Sequence, residues 1–275
     1  MWVTRRFVPV VVVAIAVALL MARPGTSVAA VSDTPSGSTV PGGARVPSVS
    51  PEGGVHTKYF CGSDWKNVRP GGGTGYNIYN DDFGASTCLE NTGNAGFTIT
   101  RSTADGSYSA FPNTSSGWEW GVAPLHGYAY PVREKDDGEP RTSVSVGLVN
   151  SGVYNAAYDT WFSTYKQTNG QDNAAEVMIW LSCRDNCIGW EPVRIEGVEF
   201  LESQWVAYHN GVHWRYTAFV AATNRTYFTN LWLNPFFSAA GIDPNWYLTS
   251  IDFGFELYSG GDGLRVNSYS LTGVR

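Results

Sequence analysis

The chain contains 275 residues, of which 43% are hydrophobic and 14% aromatic, and its formal net charge is −6. This acidic balance, without a basic patch, excludes nucleic acid as a partner and disfavours anionic membranes and acidic polysaccharides. Neutral sugars remain compatible with it.

The first thirty residues (1–30) have the pattern of a signal peptide. Arg5 and Arg6 precede an unbroken apolar run from Phe7 to Met21, and small residues follow at 28–30. The run fits the core of a signal peptide and is short for a membrane span. We therefore expect a secreted, extracellular protein with no membrane contact after cleavage. An uncleaved membrane anchor is the alternative.

Residues 31–55 are rich in Ser, Pro and Gly and hold almost no large apolar side chain. Such a segment buries too little surface to offset its ordering entropy, so it is predicted to be a disordered linker. The remaining residues, 56–275, are predicted to form one domain without room for a second module, and we expect a monomer.

The four cysteines are Cys61, Cys88, Cys183 and Cys187. An even number in an exported chain predicts disulfides, and of the three pairings we favour Cys61–Cys88 with Cys183–Cys187. Zinc is the rival interpretation. It is disfavoured because the chain has no CxxC pair and its histidines lack ligand spacing, so we expect no metal.

Short alternating runs of aromatic and β-branched residues, separated by Gly, Asn, Asp and Pro, predict an all-β sandwich or barrel. In chain order the predicted strands are 75–80, 96–101, 142–149, 174–181, 193–200, 214–220 and 248–258. One segment, Leu233–Gly241, is predicted to be helical, with Asn234 as its cap and Pro235 in its first turn.

Two of these strands have one wholly apolar face and one face that carries a glutamate. Residues 175, 177, 179 and 181 are apolar, and the opposite face of that strand holds Glu176 with Met178 and Trp180. Residues 251, 253, 255 and 257 are also apolar, and Glu256 lies opposite them. Since alternate side chains of a strand point to opposite faces, each glutamate is predicted to lie on a second, aromatic-lined surface.

Paired carboxyl groups beside aromatic side chains favour glycoside hydrolysis. One carboxylic acid protonates the leaving oxygen, and a carboxylate about 5–5.5 Å away attacks the sugar with retention, whereas a wider gap admits water and inverts the configuration. Aromatic rings stack on the C–H faces of sugars, so the surface suits a polysaccharide. The GxSxG, P-loop and HExxH motifs are absent from the sequence.

Three segments resemble glycoside hydrolase family 12, the small endoglucanases and xyloglucanases. They are AYDTWF (Ala157–Phe162), AEVMIWL (Ala175–Leu181) and GFELYSGGDGLRVNSYS (Gly254–Ser270), and the resemblance runs from about Lys58 to the C-terminus. It implies an all-β, two-sheet jelly-roll sandwich with a concave substrate cleft and one short helix. It also implies a retaining mechanism.

The resemblance also implies roles for individual residues. Glu176 of the E-x-MIW motif would be the nucleophile, and Glu256 of the GFE motif the general acid/base. Asp159 of the YD motif would be the carboxyl group that assists Glu176, and Met178 would pack near the reacting sugar.

Six further residues are candidates for sugar binding by the same resemblance: Trp65, Asn80, Phe83, Trp120, Trp205 and Tyr208. The sequence departs from the family at NDDFG, where N-N-x-W-G is usual, and at GWEWG, where many bacterial members have G-C-H-W-G. Phe83 therefore replaces a stacking tryptophan, and Asp81 replaces an asparagine.

The leading hypothesis is an endo-acting β-1,4-glucanase that needs no metal or organic cofactor and acts on a β-glucan polysaccharide. A xyloglucan-specific enzyme is the alternative within the class. A non-catalytic glucan-binding jelly roll is the alternative from another class. It is disfavoured because a binding module would need the aromatic residues but would have no reason to retain both Glu176 and Glu256 in their motifs.

Overall fold

The structure is a computed structural model that describes residues 58–62, 68–70, 75–118, 122–124, 130–168, 174–209 and 212–275. The predicted signal peptide and linker lie outside these ranges. Within them, no helix is long and apolar enough to cross a membrane.

The described residues form short and long β-strands, one α-helix and a single 3₁₀ turn at Glu134–Asp136. The strands are β1 (Tyr59–Gly62), β2 (Val68–Pro70), β3 (Asn77–Tyr79), β4 (Thr87–Gly93), β5 (Gly96–Ser102), β6 (Ala104–Ala110), β7 (Asn113–Gly117), β8 (Val132–Arg133), β9 (Gly138–Gly147), β10 (Val153–Ser163), β11 (Ala175–Arg184), β12 (Glu191–Ile195), β13 (Val198–His209), β14 (Val212–Ala221), β15 (Tyr227–Trp232), β16 (Tyr247–Gly260) and β17 (Arg265–Val274), and the helix is α1 (Asn234–Ala239).

These strands form two sheets. The smaller sheet has six strands in the order β1-β4-β5-β17-β9-β15. The larger sheet has eleven strands; its main order is β12-β13-β14-β11-β10-β16-β7-β3-β2, and β6 and β8 also pair with β16. Strands β11 and β14 run parallel, whereas β10 is antiparallel to both of its neighbours, β11 and β16. The predicted two-sheet sandwich is confirmed.

The main hydrophobic core contains the inward faces of both sheets. It contains Val177 and Ile179 of β11 together with Phe253 and Phe255 of β16. The ring of Phe255 meets Phe97 of β5 edge to face, with centroids 6.1 Å apart. Slipping β16 by one residue would turn Phe253 and Phe255 from the core to the opposite face of the sheet. Each such side chain left exposed there would cost about 1.5–3 kcal/mol. Burial of the apolar face therefore fixes which residues face outward.

The predicted helix is confirmed, but its predicted cap is wrong. Helix α1 has Leu233 at its N-cap position with no side-chain hydrogen bond, and Pro235 lies in its first turn. The Asn234 amide instead donates a hydrogen bond to Asp137 Oδ1, 3.2 Å away. Since this partner comes from a segment distant in sequence, the local cap pattern did not reveal it.

The predicted strand 193–200 is a hairpin rather than one strand. β12 ends at Ile195 and β13 begins at Val198, with φ of 50° at Glu196 and 76° at Gly197 between them. Two successive positive φ values match the tight turn that best joins antiparallel strands. The glutamate in the turn obscured the signal, because Asn or Asp is the usual residue before glycine there.

Both predicted disulfides are confirmed. Cys61 and Cys88 are bonded across paired strands β1 and β4, and Cys183 and Cys187 close a local loop after β11. Among the described residues no cysteine is free.

Candidate active site

The larger sheet has a second apolar cluster on the face turned away from the main core. This cluster, here called the cleft floor, contains Phe111, Ala157, Met178, Trp180, Cys183, Tyr216, Ala218 and Val220. Glu176 and Glu256 alternate with core residues on β11 and β16, so they share this face. The prediction that each glutamate lies on the face of its strand opposite the apolar core residues is therefore confirmed for both strands.

Strand β10 lies between the two glutamates. Glu176 pairs with Trp161 of β10, and Glu256 pairs with Asn155 of the same strand. Only 8% of Glu176 and 7% of Glu256 is exposed. The charge of Glu256 raises the pKa of Glu176, so the two carboxyl groups lie within electrostatic reach of each other.

Glu176 is buried and has one strong hydrogen-bond donor. Burial raises its pKa well above the ordinary value, a hydrogen bond from Trp214 opposes this rise, and the charge of Glu256 adds to it. The Trp214 indole N–H donates to Glu176 Oε2 over 2.7 Å. Trp214 belongs to β14, the parallel neighbour of β11, and its ring lies 5.7 Å from that of Trp161.

Glu256 has a similar environment. Burial raises its pKa to about 7, while hydrogen bonds from the Asn155 amide and the Tyr108 hydroxyl lower it. The Asn155 Nδ2 group donates directly to Glu256 Oε2. Glu256 therefore holds its proton into the neutral range, as a general acid requires.

Asp159 lies on β10 between the two glutamate strands. It pairs with Met178 of β11 on one side and with Asp252 of β16 on the other, and the Trp161 indole N–H donates to its Oδ2 over 2.8 Å. Burial raises its pKa well above the ordinary value, and the charges of Glu176 and Asp252 raise it further. The structure thus brings Asp159 within electrostatic reach of Glu176, and its assisting role stays a prediction.

Met178 lies at the centre of the cleft floor and is 1% exposed. The Tyr216 hydroxyl donates to its sulfur over 2.9 Å, and the Trp180 indole N–H lies 3.5 Å from the same atom. Met178 therefore lies on the same face of the sheet as the two glutamates, and its packing near the reacting sugar stays a prediction.

The two aromatic candidates on β13 lie on opposite faces of the strand, because they are three residues apart and the pairing with β14 is regular. Trp205 is 41% exposed and stacks on Tyr216 with ring centroids 4.1 Å apart. Tyr208 is 65% exposed and packs against His213, its register partner on β14. Trp205 therefore joins the cleft floor through Tyr216, while Tyr208 lies on the other face of the sheet.

The NDDFG segment divides into a buried residue and an exposed one. Asn80 is fully buried, and its amide donates to the backbone oxygen and the hydroxyl of Thr87, each over 2.7 Å. This arrangement holds the turn and leaves the Asn80 NH2 group occupied, so neither donor of a fully buried side chain faces a sugar. Phe83 is 50% exposed and touches Tyr108, whose ring lies 5.5 Å from that of Tyr258, two residues beyond Glu256.

Trp65 and Trp120 lie outside the described residues. In the described part of the chain, no cluster of His, Cys, Asp and Glu could hold a metal ion.

Four residues of the site were not predicted as functional: Asn155, Trp214, Tyr216 and Asp252. Asp252 has a sequence signal, because it lies four residues before Glu256 and therefore on the same face of the strand. Trp214 and Tyr216 reach the carboxyl groups and Met178 through the parallel pairing of β14 with β11. That pairing joins strands distant in sequence, so alternation within one strand does not reveal it.

Comparisons with known proteins agree with this geometry. The model of the family described as Glycosyl hydrolase family 12 matches residues 75–273. Endoglucanase S of Pectobacterium parmentieri is 30% identical over 171 residues, which span 57% of this chain and 62% of that protein, less than two thirds of its length.

Solved structures give the same result. A metagenome-derived glycoside hydrolase family 12 endoglucanase is 30% identical with a TM-score of 0.71, and the match covers 79% of this chain and 98% of that one. Endoglucanase cel12A from Rhodothermus marinus is 32% identical with a TM-score of 0.69, covering 78% and 98% respectively.

Proposed function

This chain belongs to glycosyl hydrolase family 12, and from that premise we propose that it is an endo-acting, retaining β-1,4-glucanase. One observation supports this most directly. Glu176 and Glu256 share one face of the larger sheet, and each has a carboxylate oxygen bound by an N–H donor. Aromatic side chains on the same face, such as Trp205, supply surfaces on which sugar rings stack.

The proposed reaction uses the two glutamates in turn. Protonated Glu256 donates its proton to the glycosidic oxygen while a carboxylate oxygen of Glu176 attacks the anomeric carbon. The bond to the leaving sugar breaks, and a glycosyl ester forms on Glu176. Glu256, now ionised, takes a proton from water, whose oxygen displaces Glu176 and leaves a β-configured product.

Burial raises the pKa of both glutamates, to about 8 for Glu176, where the charge of Glu256 adds to the rise, and to about 7 for Glu256. The two roles therefore follow from the family motifs and not from the order of the two pKa values. Two buried carboxylates close together oppose each other's ionisation, so the pair favours a state with one proton and one charge. The Trp214 N–H stabilises the carboxylate form of Glu176. The pKa of Glu256, raised by burial to about 7, keeps it protonated in weakly acidic solution, where a general acid needs its proton.

The substrate proposal rests on the relatives, which are named endoglucanases. Cellulose-like β-1,4-glucan is therefore the proposed substrate class. The aromatic ring that Phe83 offers for stacking on a sugar is smaller than that of a tryptophan. We also propose that the enzyme is secreted and monomeric, which mass analysis of the exported protein would test.

The decisive experiment compares reducing-end release by the wild type and by Glu176→Gln. The substrates are carboxymethylcellulose, mixed-linkage glucan, xyloglucan and xylan. We expect release from a β-1,4-glucan by the wild type and a loss of about four orders of magnitude or more in the variant. Glu199→Gln, an exposed glutamate on β13 of the same sheet, is the matched control and should retain activity.

The outcomes separate the alternatives. Preferential release from xyloglucan would assign the xyloglucan-specific activity. Binding of cello-oligosaccharides without release from any polysaccharide would favour the non-catalytic glucan-binding protein. A large loss of thermal stability in Glu176→Gln would identify Glu176 as a structural residue instead.

A further inference from the structure

A second buried carboxyl pair lies beside the glutamates. Asp252 of β16 is the register partner of Asp159 of β10, and both side chains belong to the face that carries Glu256. Directly opposed side chains on one face of an antiparallel pair have Cβ atoms about 4.5–5.5 Å apart. Asp252 is 1% exposed and Asp159 is 8% exposed, so water screens their interaction little.

The hydrogen bonds around the pair are incomplete. The Ser250 hydroxyl donates to Asp252 Oδ2 over 2.9 Å, and the Trp161 indole N–H donates to Asp159 Oδ2. In the described part of the chain, Oδ1 of each aspartate is buried without a hydrogen-bond partner of ordinary geometry. Two opposed anions with empty lone pairs are unfavourable in such a place, whereas one proton on the pair relieves both problems.

The other titratable groups near the pair are mostly acidic. The charges of Glu176 on β11 and Glu256 on β16 raise the pKa of Asp159, and the charge of Asp159 raises the pKa of the Tyr108 and Tyr216 hydroxyls. The charge of Asp252 raises the pKa of Asp81 and Tyr269. A hydrogen bond from Ser115 of β7 lowers the pKa of Asp252. None of the ion pairs among the described residues includes Asp159 or Asp252. No cationic side chain of the described residues therefore forms an ion pair with either aspartate.

We propose that Asp252 is a positioning residue whose negative charge retains a proton on Asp159, so that protonated Asp159 can donate a hydrogen bond to the carboxylate of Glu176. The inference rests on the proposed function for Glu176 as nucleophile. The bond from Asp159 to Glu176 would be diagonal, because Glu176 lies two residues from Met178, the partner of Asp159. Diagonal neighbours lie within reach of long side chains.

The signs of the pKa shifts agree with this arrangement. Burial, then the charge of Glu176, then the charge of Asp252 raise the pKa of Asp159 well above its ordinary value. Burial raises the pKa of Asp252 to about 7, while the Ser115 and Ser250 hydroxyls lower it. As the pH rises through about 7, Asp252 ionises first, and its charge strengthens the hold of Asp159 on its proton.

The test is a ¹³C NMR titration of the Asp159 carboxyl carbon in protein labelled at aspartate, assigned with Asp159→Asn. In Asp252→Asn the neutral amide keeps the shape and the acceptor for Ser250 but cannot carry the charge. We expect the Asp159 titration midpoint to fall by about 1 pH unit. Asp137→Asn, which removes another buried aspartate with a pKa near 7, is the matched control and should leave it unchanged.

A kinetic measurement gives a second readout. A midpoint lower by about 1 unit reduces the protonated fraction of Asp159 about tenfold above both midpoints. The ratio of kcat/KM in Asp252→Asn to that in the wild type should therefore be near unity in acid. It should fall up to tenfold at alkaline pH.

Each result decides the inference. An unchanged Asp159 midpoint in folded Asp252→Asn would overturn it, and so would a loss of kcat/KM that is equal at every pH. The NMR titration does not depend on turnover, so it distinguishes failure of this inference from failure of the proposed function. If the expected midpoint shift occurs in a protein that releases no sugar from any glucan, only the proposed function fails.

Discussion

Replacing Asn155 by alanine should move the alkaline side of the pH–activity profile upward. The Asn155 amide donates to Glu256 Oε2, and this bond stabilises the ionised form of Glu256. A hydrogen bond to a charged group contributes about 1.5–3 kcal/mol, and 1.36 kcal/mol corresponds to about one pKa unit. Water that enters the vacated space would replace part of the bond, so we expect the pKa of Glu256 to rise by about 1 unit.

The assay is kcat/KM from pH 4 to 10 on a soluble β-1,4-glucan. In the wild type the alkaline decline should be centred near the pKa of Glu256, about 7, because the acid loses its proton there. In Asn155→Ala that decline should be centred about 1 unit higher. Circular dichroism should first establish that the variant is folded.

Asn113→Ala is the control for this experiment. Asn113 is another fully buried asparagine of the larger sheet, and its amide donates to the Phe111 backbone oxygen. Asn113→Ala should therefore leave the midpoint of the alkaline decline unchanged. If the midpoint of the alkaline decline is unchanged in Asn155→Ala, or moves to lower pH, the reasoning that ionisation of Glu256 causes this decline is refuted.

Three further predictions concern binding, stereochemistry and stability. Trp205→Ala should raise KM about 3- to 10-fold with little change in kcat, because the ring stacked on Tyr216 offers a sugar platform away from the reacting carboxyl groups, and Trp205→Phe should recover part of the loss in steady-state kinetics. Proton NMR of fresh hydrolysate should show the β-anomer first; an initial α-anomer would exclude retention. Asp137 has a pKa raised by burial from 3.8 to about 7, so its contribution to stability is fully present below about pH 4 and is lost as the pH rises through 7. The free energy of unfolding should be measured in urea at pH 5 and pH 8 for the wild type and for Asp137→Asn. Between these pH values it should fall by about 2–4 kcal/mol less in Asp137→Asn than in the wild type. An equal fall in both proteins would contradict the raised pKa of Asp137.

The sequence by itself determined the features that depend on local order along the chain. Alternation of side chains has a period of two residues, so it assigned Glu176 and Glu256 to the face opposite the core before any strand pairing was known. The family motifs and the two disulfides were also readable, since each depends on residue identity or spacing.

Only the tertiary structure decided which side chains meet across strands. Asp252 was visible on the face of Glu256, yet its register partner Asp159 lies 93 positions earlier in the chain. The hydrogen bonds from Trp214 to Glu176 and from Asn155 to Glu256 likewise join residues far apart in sequence. Strand order and register depend on how the apolar faces of all the strands are buried together, and no single strand carries that information. The hydrogen bonds and charges that shift the pKa values of the two glutamates therefore depend on how the strands pack in the sheet.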